Sequence, residues 1–276
     1  TSHDVVDRVR KIVGVRRVGH GGTLDPMATG VLVVAVGPAT RLLSFVAGSQ
    51  KAYRGSIRLG WSTTTDDKEG EPLVDEPGPP IHTVSGEDID TAVAKFVGSV
   101  SQRPSSVSAV KIGGRAAHRR VRDGEHVEIA PREVTIDSFD VLSVEHHDAW
   151  IDLDVDVVCS SGTYVRALAR DLGAALGIGG HLTALRRTRV GSFHIDEAAE
   201  LEDIRAEMLI SPTVLAKRIM PVLDVDEETG ALARHGTRVA LPLASKAETA
   251  LIGPDGDLIA VVRPGQGTLE YVAVFP

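Results

Sequence analysis

One carboxylate and one imidazole lie inside a glycine-rich stretch near the start of the chain, Gly19-His20-Gly21-Gly22-Thr23-Leu24-Asp25-Pro26-Met27-Ala28-Thr29-Gly30. Glycine at this density marks a shaped loop rather than a helix or strand, because it admits φ > 0 and close backbone approach. Pro26 removes a backbone donor and biases Asp25 towards extended φ/ψ. A carboxylate on so stiff a loop can act as nucleophile or as base. The alternative is a structural aspartate that caps a turn, and spacing alone does not separate the two.

A second chemistry lies in the cations. Arg103, Lys111, Arg115, Arg119, Arg120 and Arg122 fall between residues 103 and 122 with no acidic residue among them, and His118 adds potential charge. Such a run is the footprint of phosphate contacts; its alternative is an ordinary solvated basic helix. The net charge of −8 argues against a protein coated in positive charge but leaves room for a local basic groove. No G-x-x-x-x-G-K loop, G-x-G-x-x-G fingerprint or H-E-x-x-H motif is present. The lone Cys159 excludes an intramolecular disulfide and a cysteine-based zinc site, and fits a small buried hydrophobe in a reducing cytoplasm. No run reaches the roughly 18 apolar residues that span a bilayer.

Elements must hold these groups. With 276 residues, 42% of them hydrophobic, the chain can form one large or two unequal domains. Thr1 and Asp4 are spaced as a capping box, and Val5, Val6, Val9, Ile12 and Val13 share one helical face. Val31–Val36 reads as a buried strand directly after the loop, and Pro38 as the opening of a helix. Lys51–Gly60 alternates as a half-buried strand. Residues 61–86 are acidic and Pro-rich, without metal-ligand spacing, and read as a solvated loop. Residues 89–97 form a short amphipathic helix. Trp150–Val158 is a strand whose wet face carries Asp152, Asp154 and Asp156; a turn after it opens a helix. From about Leu223, short apolar runs separated by Gly and Pro predict a small β-rich unit.

The glycine-rich stretch resembles the G-H-x-G-x-L-D-P-x-A-T-G loop of the TruB family of pseudouridine synthases, at every fixed position. Further matches follow in family order. Lys51-Ala52-Tyr53 with Leu59-Gly60 resembles K-x-Y-x-x-x-x-x-L-G, and Thr63-Thr64-Thr65-Asp66, with Gly70 in place, resembles the T-x-T-x-D-x-x-G neighbourhood. Pro104–Arg115 resembles the P-x-x-S-A-x-K-x-x-G motif that opens an RNA-gripping thumb, although His118 stands where family members commonly show tyrosine. Cys159–Gly173 resembles C-x-x-G-T-Y-[IV]-R-x-L-x-x-D-L-G, and His181–Gly191 resembles H-x-x-x-L-R-R-T-x-x-G.

The resemblance implies conversion of the uridine at position 55 in the tRNA T-loop to pseudouridine, with Asp25 as the essential carboxylate. It implies that His20 contacts substrate, that Tyr53 stacks on the flipped uracil, that Tyr164 packs under the base, that Arg166 pairs with Asp25, and that Leu185 lines the base pocket. For Tyr53 the alternative is simple packing; for Arg166 it is a surface ion pair worth under about 1 kcal/mol. Lys111, Arg115, Arg119, Arg120, Arg186 and Arg187 would face RNA. The implied fold is α+β, with a mixed, largely antiparallel sheet over residues 1–222, a thumb at about 103–130, and a PUA-like RNA-binding unit over 223–276. In that unit Arg234, Arg238 and Lys246 are the candidate phosphate contacts. The family also carries a strand and a Lys-Pro loop before the Thr1-Ser2 segment, so the start is expected to be truncated. The isomerisation needs no redox step or energy input, so no cofactor and no metal are expected; the partner is the T-arm of tRNA, the location cytoplasmic, the state monomeric. Two other readings remain: an aspartate-dependent glycosidase, for which no second acid falls at a motif, and an RNA-binding chaperone or adaptor that only positions the T-arm.

Overall fold

The capping box forms. The Thr1 hydroxyl accepts from the Asp4 amide, and the Asp4 carboxylate accepts from the Thr1 nitrogen. It opens helix α1 (Ser2–Val13), which buries Val6 and Val9 and ends at Gly14 with φ 65°. The computed structural model describes residues 1–73, 80–108, 111–112, 114–116, 120, 129–237, 239, 241, 247–266 and 268–275. His118, Arg119, Arg122, Arg238 and Lys246 lie outside the described residues.

After α1 come β1 (Val18–His20), β2 (Thr29–Gly30), β3 (Val34–Val36), α2 (Leu43–Gly48) and β4 (Lys51–Leu59). Then follow α3 (Gly86–Ala94), β5 (Gly98–Gln102), the short strands β6 (Lys111–Ile112) and β7 (Arg115–Ala116), β8 (Arg132–His146) and β9 (Ile151–Cys159). The body closes with α4 (Val165–Leu176), β10 (Gly180–Val190), β11 (Phe193–His194) and α5 (Pro212–Ile219).

The main sheet runs β11-β10-β4-β9-β8-β5, antiparallel throughout, and β2 joins β10 in parallel. The class is therefore α+β with a mixed, largely antiparallel sheet. Alternation on β4 and β9 sends Tyr53, Ile57, Leu59, Leu153 and Val155 into a core completed by Leu168 and Leu172 of α4. The wet face of β9 is a ladder across to β4: Arg58 with Asp152 at 2.8 Å, Ser56 with Asp154 at 2.7 Å, Arg54 with Asp156 at 3.1 Å.

Three expectations are corrected. Val31–Val36 is not one buried strand. The Val31 amide donates to Arg187, and the Val33 carbonyl accepts from Gly21. The chain thus leaves one sheet before β3 pairs with β1. The short helix begins at Gly86, three residues early, because Ser85 and Asp88 form a second capping box. The acidic segment is not wholly solvated: Asp66 and Asp67 are 8% and 4% exposed. The Leu182 amide donates to the Asp66 carbonyl and the Lys68 amide to the Leu182 carbonyl, which pins this loop against β10.

The β-rich unit is a four-stranded sheet, β12 (Val222–Asp224), β13 (Thr249–Ile252), β14 (Leu258–Pro264) and β15 (Leu269–Val274), with α6 (Glu227–Arg234) on one face. Its other face is not free. Ala250, Ile252, Leu258 and Val261 share a core with Val31, Ala35, Leu42, Val46 and Leu215. No described helix is long and apolar enough to cross a membrane.

Candidate active site

Asp25 sits on the turn between β1 and β2, where the Ala28 amide donates to its carbonyl. Its carboxylate meets Arg166 head-on: Nε donates to Oδ2 and Nη2 to Oδ1, both at 2.9 Å. Arg166 lies in the first turn of α4 and is almost fully buried, at 4% side-chain exposure, whereas Asp25 keeps 29%. The alternative of a surface ion pair is thereby removed. This fork-on-carboxylate geometry fixes orientation as well as charge. Nη1 donates to the Thr65 carbonyl at 2.9 Å, Nη2 to the Val107 carbonyl at 3.0 Å, and Asp67 lies 3.3 Å from Nη1.

Asp66 and Asp67, which composition assigned to solvent, belong to this site. Arg170 is one turn beyond Arg166 on α4 and bonds Asp66 at 3.0 Å and Asp171 at 2.8 Å. Burial pushes the carboxyls of Asp66 and Asp171 up despite Arg170. Asp67 is held by the Thr65 hydroxyl at 2.6 Å and the Glu69 amide at 3.0 Å. The signal was present: arginines at i and i+4 share a helix face, and a guanidinium taken out of water requires anions or carbonyls. Gln102 was also missed. It accepts from the Tyr164 amide at 2.8 Å and donates to the Tyr164 carbonyl at 3.1 Å, fixing the turn that opens α4.

The other named residues divide. Tyr53 and Leu185 are buried in one cluster, and Met27 and Ala28 of the loop pack against it. Burial pushes the Tyr53 hydroxyl up to about 12. Tyr164 is half-buried, with the Arg132 guanidinium 5.0 Å from its ring centre. His20 accepts from the Gly22 amide at Nδ1, 3.3 Å, and burial lowers its basicity; the neutral ring carries its proton on Nε2. Arg186 is exposed, with Nη1 3.2 Å from the Thr29 hydroxyl. Lys111 and Arg115 are placed by backbone only, on β6 and β7, and Arg120 is half-buried. Arg234 is exposed on α6.

Arg187 is a correction. It is 1% exposed and cannot face RNA. Nε donates to the Val31 carbonyl at 2.7 Å, Nη2 to Gly22 at 3.1 Å and Nη1 to Thr23 at 3.4 Å. Its physical reason is strand alternation. Leu185 and Arg187 are buried on β10 while Arg186 between them is exposed.

A cavity of about 470 Å³ opens beside Asp25, between α1, the loop and residues 197–209. Tyr53, Tyr164 and Leu185 are outside its wall; Tyr53 and Leu185 belong to the sheet core against which Met27 and Ala28 of the loop pack. Among the described residues no group of three His, Cys, Asp or Glu side chains could hold a metal. What the site offers is one oriented, partly exposed carboxylate between an apolar, aromatic wall and solvent.

Three family models match the chain in sequence: the TruB family pseudouridylate synthase N-terminal domain over residues 10–165, the tRNA pseudouridylate synthase B C-terminal domain over 166–224, and the tRNA pseudouridine synthase II C-terminal domain over 220–276. The chain is 48% identical over 282 residues to tRNA pseudouridine synthase B of Thermobifida fusca, covering 100% of this chain and 94% of that protein. It is 49% identical over 276 residues to the Corynebacterium efficiens protein of the same name, covering 99% and 92%. Among solved structures it resembles a chain of a Cbf5-Nop10-Gar1 complex, with a TM-score of 0.73 over 99% of this chain and 81% of that one, at 24% identity; that likeness concerns the fold.

Proposed function

The chain belongs to the TruB family of pseudouridylate synthases and forms pseudouridine in tRNA; we propose that its target is the uridine at position 55 of the T-loop and that Asp25 is the carboxylate that acts on it. The observation that supports this most is the Asp25–Arg166 pair. A partly exposed carboxylate is aimed by a buried guanidinium, on a loop whose Met27 and Ala28 pack against the cluster that holds Tyr53 and Leu185.

The target base must leave its stack, at a cost of a few kcal/mol. Stacking on an aromatic face returns roughly 1–3 kcal/mol, which gives Tyr53 and Tyr164 a task. Asp25 then has two routes. Attack on C1′ forms an ester bond to the sugar as the N1–C1′ bond breaks and its electron pair leaves on the uracil. Removal of the C2′ proton instead drives the same cleavage to a glycal. In both, the freed uracil turns and C5 bonds to C1′, on the ester route displacing the Asp25 carboxylate as the C1′–O bond breaks; the C5 proton is lost to solvent and N1 takes one up. On the glycal route a proton also returns to C2′, so reactant and product are isomers. Every step uses groups of this chain and the RNA. Arg186 and the basic segment from Arg103 to Arg122 would meet phosphate. The sheet β12–β15 is read as a PUA-like unit over residues 223–276, and residues 1–222 as the catalytic unit. We read the enzyme as a monomer acting where tRNA is, in the cytoplasm.

The test is tritium release from C5-labelled uridine in an unmodified tRNA transcript. The parent chain should release tritium. Asp25→Ala should lose at least about 1,000-fold in rate, within the range one positioned acid–base or nucleophilic group supplies, while tRNA affinity stays close to the parent's. Turnover retained by Asp25→Ala would falsify the assignment. No release from the parent itself would favour the adaptor reading.

A further inference from the structure

We propose that Arg187 is a positioning residue for Asp25, acting through the backbone of the loop rather than on RNA; this rests on the reading of Asp25 as the reacting carboxylate. Arg187 is a fully buried cation, and among the described residues it makes no ion pair. Its guanidinium instead spans the loop. Nη2 and Nη1 hold the carbonyls of Gly22 and Thr23 on the leg that leads into Asp25, and Nε holds the carbonyl of Val31 on the leg that leads out. The Arg187 carbonyl accepts from the Val31 amide, and Arg187 pairs with Gly30 in the parallel β2–β10 bridge. One residue therefore ties both ends of a nine-residue turn, from Gly22 to Gly30, with side chain and main chain together.

The fit is close enough to restrict the sequence. Gly30 has φ 98°, and a Cβ there would overlap the Arg187 backbone. Loop and strand approach as far as two backbones can. A lysine could not replace this arginine: one ammonium cannot reach three carbonyls that diverge around a planar fork. The division of labour is clear. Arg166 orients the Asp25 carboxylate, and Arg187 fixes the main chain that carries it. Burial, and after it the Arg187 charge among others, lowers the basicity of both His20 and Lys51 beside it.

The experiment compares Arg187→Ala, Arg187→Lys, Arg186→Ala and Asp25→Ala by single-turnover pseudouridine formation at saturating enzyme, with tRNA Kd and a thermal melt for each. Arg187→Ala should lower the saturated rate constant about 100-fold, as displacing a reacting group by about 1 Å does, with Kd changed less than about threefold. Arg187→Lys should recover little. Millimolar guanidinium chloride should restore part of the Arg187→Ala rate and none of the Asp25→Ala rate. Arg186→Ala should behave oppositely, losing affinity rather than saturated rate. The proposal is overturned if Arg187→Ala keeps its saturated rate, or loses affinity instead of rate. It is also overturned if the lost rate only tracks the unfolded fraction and guanidinium does not rescue it. Turnover by Asp25→Ala would instead break the reading beneath it, which no Arg187 result can do.

Discussion

The helix side and the strand side of the loop that carries Asp25 hold it by different physics. On the helix side, Arg166 and Arg170 meet carboxylates: Asp25 and Asp67 for one, Asp66 and Asp171 for the other. On the strand side, the buried cations meet carbonyls. Arg187 caps those of Gly22, Thr23 and Val31, and Lys51 donates to Ala47 at 2.9 Å and Ser49 at 2.7 Å. A carboxylate partner is a mobile side chain with its own charge, so the helix side sets the direction of a reacting group. A carbonyl partner is main chain, so the strand side sets the path of the loop. The first arrangement is vulnerable to loss of either charge. The second is vulnerable to loss of the fork geometry.

The comparison breaks most sharply at Arg166. Arg166→Met would leave Asp25 and Asp67 facing each other without their cation. Removing one member of a buried pair costs about 3–5 kcal/mol, and turnover should fall on the order of 1,000-fold, within what one positioned catalytic group supplies. Single-turnover kinetics with a melting curve will check this, and a near-parental rate would show that Asp25 needs no such partner. Asp67→Asn is gentler, because the fork on Asp25 survives. It should cost about 1–3 kcal/mol, the range for a lost charge-assisted bond, with a smaller loss of turnover than Arg166→Met; the two losses reversed would move the ionic centre to Asp67.

The smallest effect belongs to the strand side. His20 lies below its ordinary value of 6.5, chiefly through burial. The unfolded chain therefore takes up its proton first as pH falls. Stability from this group is full above that value and declines as pH drops below it. Because His20 is half-exposed, the loss between pH 7 and 5 should stay under about 1 kcal/mol. Urea unfolding at both pH values should show the difference shrinking in His20→Gln; an unchanged difference would assign it to another group, such as His181, which burial lowers as well.

What was legible in the sequence follows the same division. Asp25 and Arg166 stand in dense local motifs, and the structure brings them together over 141 residues of chain. The half-buried alternation of β4 and β9 was readable because period two is local. Arg187 was not, since Arg186, Arg187 and Arg189 look alike as letters. Only the phase set by Leu185 tells which side chain enters the core. Asp66 and Asp67 were hidden by their acidic, Pro-rich neighbourhood, where composition points to solvent and burial depends on two arginines a hundred residues away. The break between β2 and β3 was hidden for a similar reason: Val31 bonds to Arg187, a partner no local pattern announces.

The shared core beneath Val31 has a consequence for how the enzyme comes into being. Val31 and Ala35, just past the catalytic turn, are covered by Ala250, Ile252, Leu258 and Val261. A ribosome makes the first pair long before the second. Domains generally fold as they emerge, but here the backing of the catalytic turn waits for a sheet synthesised much later. Until then Val31 and Ala35 lack that cover, so a nascent chain carries Asp25, Arg166 and Arg187 before it carries the sheet that packs behind the loop's exit.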